Sequence, residues 1–311
     1  MSHSNIMQFS SWPINEVNGV NYTIKELLNT KPYKGSFLFC PSNDNPDIWE
    51  LHQNNIVVET VNFTPLRRKH FGLYDTASRL LFQPIYLFRL LALFKKYDIN
   101  VFHMHFLSHF GYMFGPMCRV LKIDLFVSLH GSDVYRPHKS FIYDISRNFL
   151  LKHAYFFCCS KAISSEAQLV FGLSKNRMKI IYHGIPGDIR EYNGKKEENS
   201  ITAVGRLDKV KGFDILLNAI HILVNEYKQN PKLKIVGGGA EKQALENQIS
   251  KLGLKNNVSM LGQKKRDDVY LELASSSIFV MSSRQEALGL SVLEALLYKN
   301  AIVAFDVGGV S

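Results

Sequence analysis

The sequence is sparing with several things. Four cysteines, Cys40, Cys118, Cys158 and Cys159, occur in 311 residues, and no two form a CxxC pair. A disulfide framework and a cysteine-built zinc site are therefore excluded as organising principles. Cys158 and Cys159 sit together in the apolar run "AYFFCCS", which reads as a buried strand with ordinary core thiols. Long uninterrupted apolar runs are lacking too. The most apolar segment, "RLLFQPIYLFRLLALFKK" (79–96), is broken by Pro84 and Arg89 and is short for a membrane span. The first residues, "MSHSNIMQFSSWPINE", lack the basic-then-apolar pattern of a secretory signal. A reducing, cytoplasmic location is the expectation. No run interleaves aromatics with cations on one face, so nucleic acid is not an expected partner.

What is abundant is apolar and basic. Hydrophobic residues make up 46% of the chain and charged residues 21%, the composition of a folded globule. The length suits two domains better than one core. The net charge is +10, and it is uneven. Residues 1–195 hold 22 Lys and Arg against 14 Asp and Glu, whereas the remainder hold 15 against 13. An anionic partner is expected on the first half: a phosphate-bearing acceptor or the surface of an anionic membrane. The segment "RRKH" (67–70) is the densest patch, and 79–96 could supply an amphipathic helix.

Short β-branched or aromatic runs alternate with longer helical stretches. Strands are predicted at 36–40, 55–61, 99–105, 124–130, 154–160 and 178–184. A charged, glycine-containing stretch, "IPGDIREYNGKKEENS" (185–200), reads as a linker. The alternation then restarts, with strands at 201–205, 232–237, 257–261, 277–282 and 301–307 and helices at 211–228, 240–252, 266–274 and 288–297. Strands apolar on both faces and separated by helices predict parallel sheets covered on both sides. The fold class is α/β, with two Rossmann-like doubly wound domains, 1–184 and 200–311, joined by residues 185–199. In such sheets ligands bind beyond the carboxyl ends of the strands, so the expected site is a cleft between the domains.

Two stretches carry candidate chemistry. In "ITAVGRLDKVKGFDILLNAI" (201–220), a strand ends at Val204, Gly205 permits a turn, and Arg206 and Lys211 follow before a helix. Two cations at a strand exit and a helix start suit a diphosphate. In "SRQEALGLSVLEALL" (283–297), Glu286 and Glu294 stand eight positions apart around Gly289. Gly289 lets backbone approach a ligand, and amides from Leu288 through Leu290 to Ser291 suit phosphate. Glu294 falls in a helix that is apolar on nearly every side, where a carboxylate needs a purpose such as accepting from a ribose diol. His103 and His105 alternate on one strand face, but a third ligand is not evident and a metal pair is rejected. No DxD-type acidic pair is well placed for Mg²⁺, since "NDNPD" (43–47) reads as a surface turn, so no cofactor and no metal are expected.

These stretches together are recognisable. "EALGLSVLEAL" resembles the E-x7-E signature of retaining glycosyltransferases with two Rossmann-like domains, the GT-B fold, and of glycosyltransferase family 4 in particular. "GRLDKVKGFDILLNAI" is similar to the family's G-R-x4-K-G segment, "VSLHGSDV" to its H-G-x-D segment, and "PINEVNGVNYTIKELL" to its first loop and helix. The family usually has a double glycine where this chain has Asn18-Gly19. The resemblance covers almost the whole chain. It implies that Arg206 and Lys211 neutralise a donor diphosphate, that Glu294 binds the ribose, and that Glu286 contacts the transferred sugar. It also implies that Gly19 lets the first loop approach the diphosphate and that His130 lines the cleft near the reacting carbon. His105 and Asp133 are candidates for the acceptor side, and Asp133 equally for a helix cap. The implied activity is transfer of a hexose from a UDP- or GDP-sugar to a glycan or lipid-linked acceptor in surface polysaccharide or lipopolysaccharide synthesis. The family continues past "DVGGVS", which implies a second domain incomplete at Ser311. That ending keeps one alternative open, an inactive or partner-dependent subunit; a nucleotide-sugar epimerase of the same fold is a second alternative, against which the E-x7-E signature speaks.

Overall fold

In a computed structural model, the structure describes residues 5–10, 19–29, 36–41, 57–61, 87–108, 110–137, 140–185 and 194–310. The chain divides into two units, Met1–Tyr182 and His183–Ser311.

Among the described residues, the first unit contains a seven-stranded parallel sheet in the order β3-β2-β1-β4-β5-β6-β7. Its strands are β1 (Ile6–Ser10), β2 (Ser36–Pro41), β3 (Val57–Val61), β4 (Val101–His105), β5 (Asp124–Leu129), β6 (Tyr155–Cys158) and β7 (Met178–Ile180). Five of these lie within the predicted runs, and β2 runs one residue past its own. β1 lies in none of them: "IMQFS" is five residues long with Gln8 and Ser10 in it, and its strand character comes from β2 and β4 bonding it on both sides. Strand order reverses between β1 and β4, and Ser10, His105 and Ser128 stand level at the carboxyl ends of three adjacent strands.

The helices of this unit are α1 (Gly19–Asn29), α2 (87–96), α3 (Gly111–Val120), α4 (Ser132–Tyr135), α5 (Phe141–His153) and α6 (Lys161–Phe171). Ser140 caps α5 and Ser160 caps α6, each hydroxyl accepting from a first-turn amide. Phe9, Phe102, Phe110 and Phe114 form the centre of the core, with ring centroids 5.0 to 6.0 Å apart. Each such ring removed from water contributes about 1.5–3 kcal/mol. Cys118, Cys158 and Cys159 are buried, and burial pushes the Cys158 thiol up to about 11. α2 is the described part of segment 79–96. Phe88 is exposed on it and Leu90 and Phe94 are buried, so one face packs inward. No described helix is long and apolar enough to cross a membrane. The loop before Gly19, the "RRKH" patch and "NDNPD" lie outside the described residues.

The second unit contains a five-stranded parallel sheet in the order β10-β9-β8-β11-β12. These are β8 (Glu197–Val204), β9 (Lys232–Val236), β10 (Val258–Gly262), β11 (Ser276–Met281) and β12 (Ala301–Ala304). β8 begins at Glu197, inside the stretch read as linker, because Glu197 and Ser200 find partners on β11 and β9. Helices α7 (Phe213–Asn225), α8 (Lys242–Lys251), α9 (Arg266–Ser275) and α10 (Leu290–Leu297) connect the strands. α7 and α8 cover one face through Leu216, Leu217, Ile220, Leu245 and Ile249, packed on Ile201, Leu233 and Ile235. α9 and α10 build a second cluster from Tyr270, Leu273, Ala295 and Tyr298 around Phe279 and Met281. The order reverses between β8 and β11, so a crevice is expected beyond Val204 and Met281.

Candidate active site

Two loops leave the sheet of the second unit at that reversal. The first, after β8, carries Gly205, Arg206 and Lys211. Gly205 itself has ordinary backbone. The close approach belongs to Gly237 on the neighbouring loop, with φ +151, where a Cβ would stand 1.9 Å from the Gly205 carbonyl oxygen. Asp208 organises the loop: its Oδ1 accepts from the Lys211 amide at 3.2 Å and its Oδ2 pairs with Arg206 at 2.6 Å. The Arg206 side chain is 71% exposed, and its bond to Asp208 holds it at the loop.

The second loop, after β11, carries Glu286. Lys211 Nζ lies 2.5 Å from Glu286 Oε2, with the two side chains only 23% and 14% exposed. Ser283 Oγ also donates to Oε2 at 3.4 Å, and the Ala287 amide donates to Oε1 at 3.3 Å. The carboxylate is thus fixed on both oxygens. Gly289 has φ +77 and forms the N-cap of α10. Leu290 and Ser291 open that helix, so their amides have no carbonyl one turn earlier to bond. The loop rests on Gly309, whose amide donates to the Glu286 carbonyl at 3.0 Å. A Cβ there would meet the Ala287 carbonyl oxygen at 2.2 Å.

Glu294 lies on α10, largely buried. Burial raises its carboxyl above the ordinary range, and Arg266 opposes that from 3.2 Å. Arg266 in turn bonds the Tyr270 hydroxyl and stacks over its ring, 5.1 Å from the centroid. Arg266 and Tyr270 both come from α9 and were not singled out by the sequence analysis. The signal for them was present only as an arginine preceding "DDVYLEL". A groove of about 400 Å³ beside the first loop is lined by residues including Asp208, Phe213, Asp214 and Arg284, but by none of Lys211, Glu286 and Glu294.

In the first unit three candidates meet at the carboxyl ends of β4 and β5. His105 is buried, its Nε2 2.9 Å from Gln8 Oε1 and its Nδ1 3.1 Å from His130 Nε2. An amide oxygen only accepts, so His105 donates from Nε2. Its Nδ1 then accepts from the Nε2–H of His130. Asp133, also buried, accepts from three amides: His130 at 3.1 Å, Gly131 at 3.0 Å and Leu107 at 3.2 Å. Of the two readings of Asp133, the helix cap is not what these bonds describe: Gly131 is the N-cap of α4, and Asp133, inside its first turn, holds the amides of the loops before it. Phe106, between them, has φ +75, strained for a bulky residue, and its ring centroid lies 4.8 Å from that of His130. His105 and Asp133 therefore orient His130. Gln8 was missed by sequence reading, being 97 residues from its partner. Gly19 opens α1. Among the described residues no group of three or more His, Cys, Asp or Glu could hold a metal ion.

Comparison with known proteins decides what kind of domains these are. Residues 38–188 match the family model described as Glycosyltransferase Family 4, and residues 186–311 match Glycosyl transferases group 1. Each unit is therefore similar to a glycosyltransferase domain. An uncharacterized glycosyltransferase of Methanocaldococcus jannaschii, MJ1607, is 26% identical over 236 residues, 69% of this chain and 59% of that protein. The amylovoran biosynthesis glycosyltransferase AmsD of Erwinia amylovora is 37% identical over 111 residues, 36% of this chain and 30% of that one. The chain thus spans less than three-fifths of the length of these relatives. Anabaena HepE, solved in complex with UDP and glucose, superposes with a TM-score of 0.74 at 19% identity over 99% of this chain and 82% of its own. The fold is of GT-B type, two parallel-sheet α/β domains.

Proposed function

We propose that this chain is a retaining glycosyltransferase. It moves a hexose from a UDP- or GDP-sugar to a glycan or lipid-linked acceptor in surface polysaccharide or lipopolysaccharide synthesis. The observation that carries the donor side is Lys211 seated against Glu286 beside a helix N-terminus, at the reversal of a parallel sheet. Transfer from a nucleotide sugar needs the leaving diphosphate stabilised as its charge grows. Fixed cations and helix-start amides do that without reorganising, and in this reading without a metal. Arg206 and Lys211 take the diphosphate, with the amides from Leu288 to Ser291. Glu294 accepts from the ribose, and Glu286 from the sugar. The relation to an amylovoran glycosyltransferase and the fold shared with a protein that binds UDP and glucose support this assignment.

The first unit is read as the acceptor half, with His130 as its chemical residue and Gly19 as the start of its donor-side loop. The basic excess there fits a phosphate-bearing acceptor or peripheral contact with an anionic membrane on the cytoplasmic side.

Calorimetric titration of UDP, GDP and their sugars into the chain tests the donor site, beside Arg206→Ala and Glu294→Ala. Binding of one nucleotide, weakened about tenfold or more in both variants, is the expected result. A folded wild-type chain that binds neither nucleotide overturns the reading.

A further inference from the structure

Arg284 has no part in the donor site described above, yet it makes two hydrogen bonds to the Lys211 loop. The turn Lys209–Lys211 presents three successive carbonyls. That of Lys209 accepts from Arg284 Nη1 at 2.6 Å, and that of Val210 accepts from the Arg284 backbone amide at 2.7 Å. The Lys211 carbonyl accepts from Ser282 Oγ at 3.0 Å. The loop that leaves β11 therefore binds the loop that leaves β8 carbonyl by carbonyl. Gly212 allows it: a Cβ there would stand 2.0 Å from the Ser282 carbonyl oxygen. The guanidinium is itself aimed by Asp214, which accepts from Nη1 at 2.8 Å and from Nη2 at 2.7 Å.

Lysine is a flexible four-carbon stem with a point charge at its end. Holding that charge at 2.5 Å from Glu286 requires the two backbones to be in fixed register, to within about 0.5 Å for a preorganised site. Arg284 lies two residues before Glu286 and bonds the residue two before Lys211, so it sits where that register is set. Its side chain is 43% exposed, and a pair this exposed adds little to overall stability. Its role is therefore sought in local geometry.

We propose that Arg284 is a positioning residue for diphosphate recognition, acting through Lys211 by fixing the Lys209–Lys211 turn against the Glu286 loop. The inference rests on the donor reading above. A residue that acts through Lys211 has nothing left to do once Lys211 is gone, and a double-mutant cycle isolates that dependence.

UDP and GDP are titrated calorimetrically into the wild-type chain, Lys211→Ala, Arg284→Ala, Arg284→Lys and the double variant Arg284→Ala/Lys211→Ala, with folding followed by circular dichroism. Arg284→Ala is expected to weaken binding about tenfold in the wild type and by no more than about twofold in the Lys211→Ala background. Arg284→Lys falls with Arg284→Ala, since an ammonium cannot reproduce the forked bonds to Lys209 and Asp214. An unchanged affinity in Arg284→Ala, or the same factor lost in both backgrounds, overturns the proposal and leaves the donor site standing. If Arg284→Ala does not fold, the cycle of Ser282→Ala with Lys211→Ala carries the same test through the Lys211 carbonyl. A wild-type chain that binds neither nucleotide sinks the donor reading and this inference with it.

Discussion

Lys211 and Glu286 are 75 residues apart in the chain, and their side chains meet at 2.5 Å. Each neutralises the other at the exit of the sheet. A diphosphate that draws the ammonium must compete with that carboxylate. The two partners therefore have opposite effects on nucleotide affinity. Lys211→Ala is expected to weaken UDP or GDP binding about tenfold, through loss of a charge-assisted bond. Glu286→Gln keeps the shape, frees the ammonium and is expected to tighten the bare nucleotide by about threefold. Parallel calorimetric titrations read both. Weaker binding of the bare nucleotide in Glu286→Gln would show that the pair does not compete with the diphosphate.

Asp133 makes the first unit sensitive to acid in an unusual direction. Burial lifts its carboxyl from the ordinary 3.8 to about 6, against the three amides that favour the charged form. Between those values the folded chain holds a proton that the unfolded chain has released. The contribution is fully present below pH 3.8 and is lost as pH rises through about 6. Two pH units of difference correspond to about 3 kcal/mol. Urea unfolding at pH 4, 5 and 6 should show this loss in the wild type. Asp133→Asn, which does not titrate, should have a flatter profile over the same window. Identical slopes for the two chains would remove Asp133 as the cause.

Gly212 and Gly253 share a left-handed backbone, with φ +63 and +71, but not their surroundings. A Cβ at Gly253 meets nothing within 4 Å, whereas one at Gly212 runs into the Ser282 backbone. Gly253→Ala is expected to cost about 1–2 kcal/mol, the strain of that conformation alone. Gly212→Ala adds the cost of moving backbone, about 1–3 kcal/mol more. It should also weaken nucleotide binding, because the displaced residue is Lys211's neighbour. Thermal unfolding of both variants checks the first difference, and equal losses would mean that the loops part without cost.

The second unit was legible almost throughout. Each of its strands falls within four residues of the run that predicted it, because β-branched runs flanked by helical stretches have few other uses in a folded chain. β1 was not legible. Four successive residues of it are buried, polar Gln8 and Ser10 among them, and its place between β2 and β4 depends on chain 30 to 95 residues away. Arg206, Lys211, Glu286 and Glu294 could be named from residue type and spacing. Their partners could not: Arg266 reaches Glu294 from another helix, and Gln8 reaches His105 across the sheet. Gly205 shows the limit for glycine. Sequence shows where a side chain is missing, but only the structure shows that the strained angle falls at Gly237 and Gly212.

By itself, then, the order of residues determined the element types, the parallel α/β class and which side chains could carry charge to a diphosphate. These follow from local patterns that repeat every two or about four residues. The tertiary structure decided which of those side chains meet. It set Lys211 against Glu286, and it tied Lys211's turn to Arg284. It also placed Asp133 and Gln8 behind His130 and His105. Apart from the bond between Asp133 and His130, three residues apart, these contacts lie 75 to 97 residues apart along the chain and exist only where sheet order and loop register bring their backbones together.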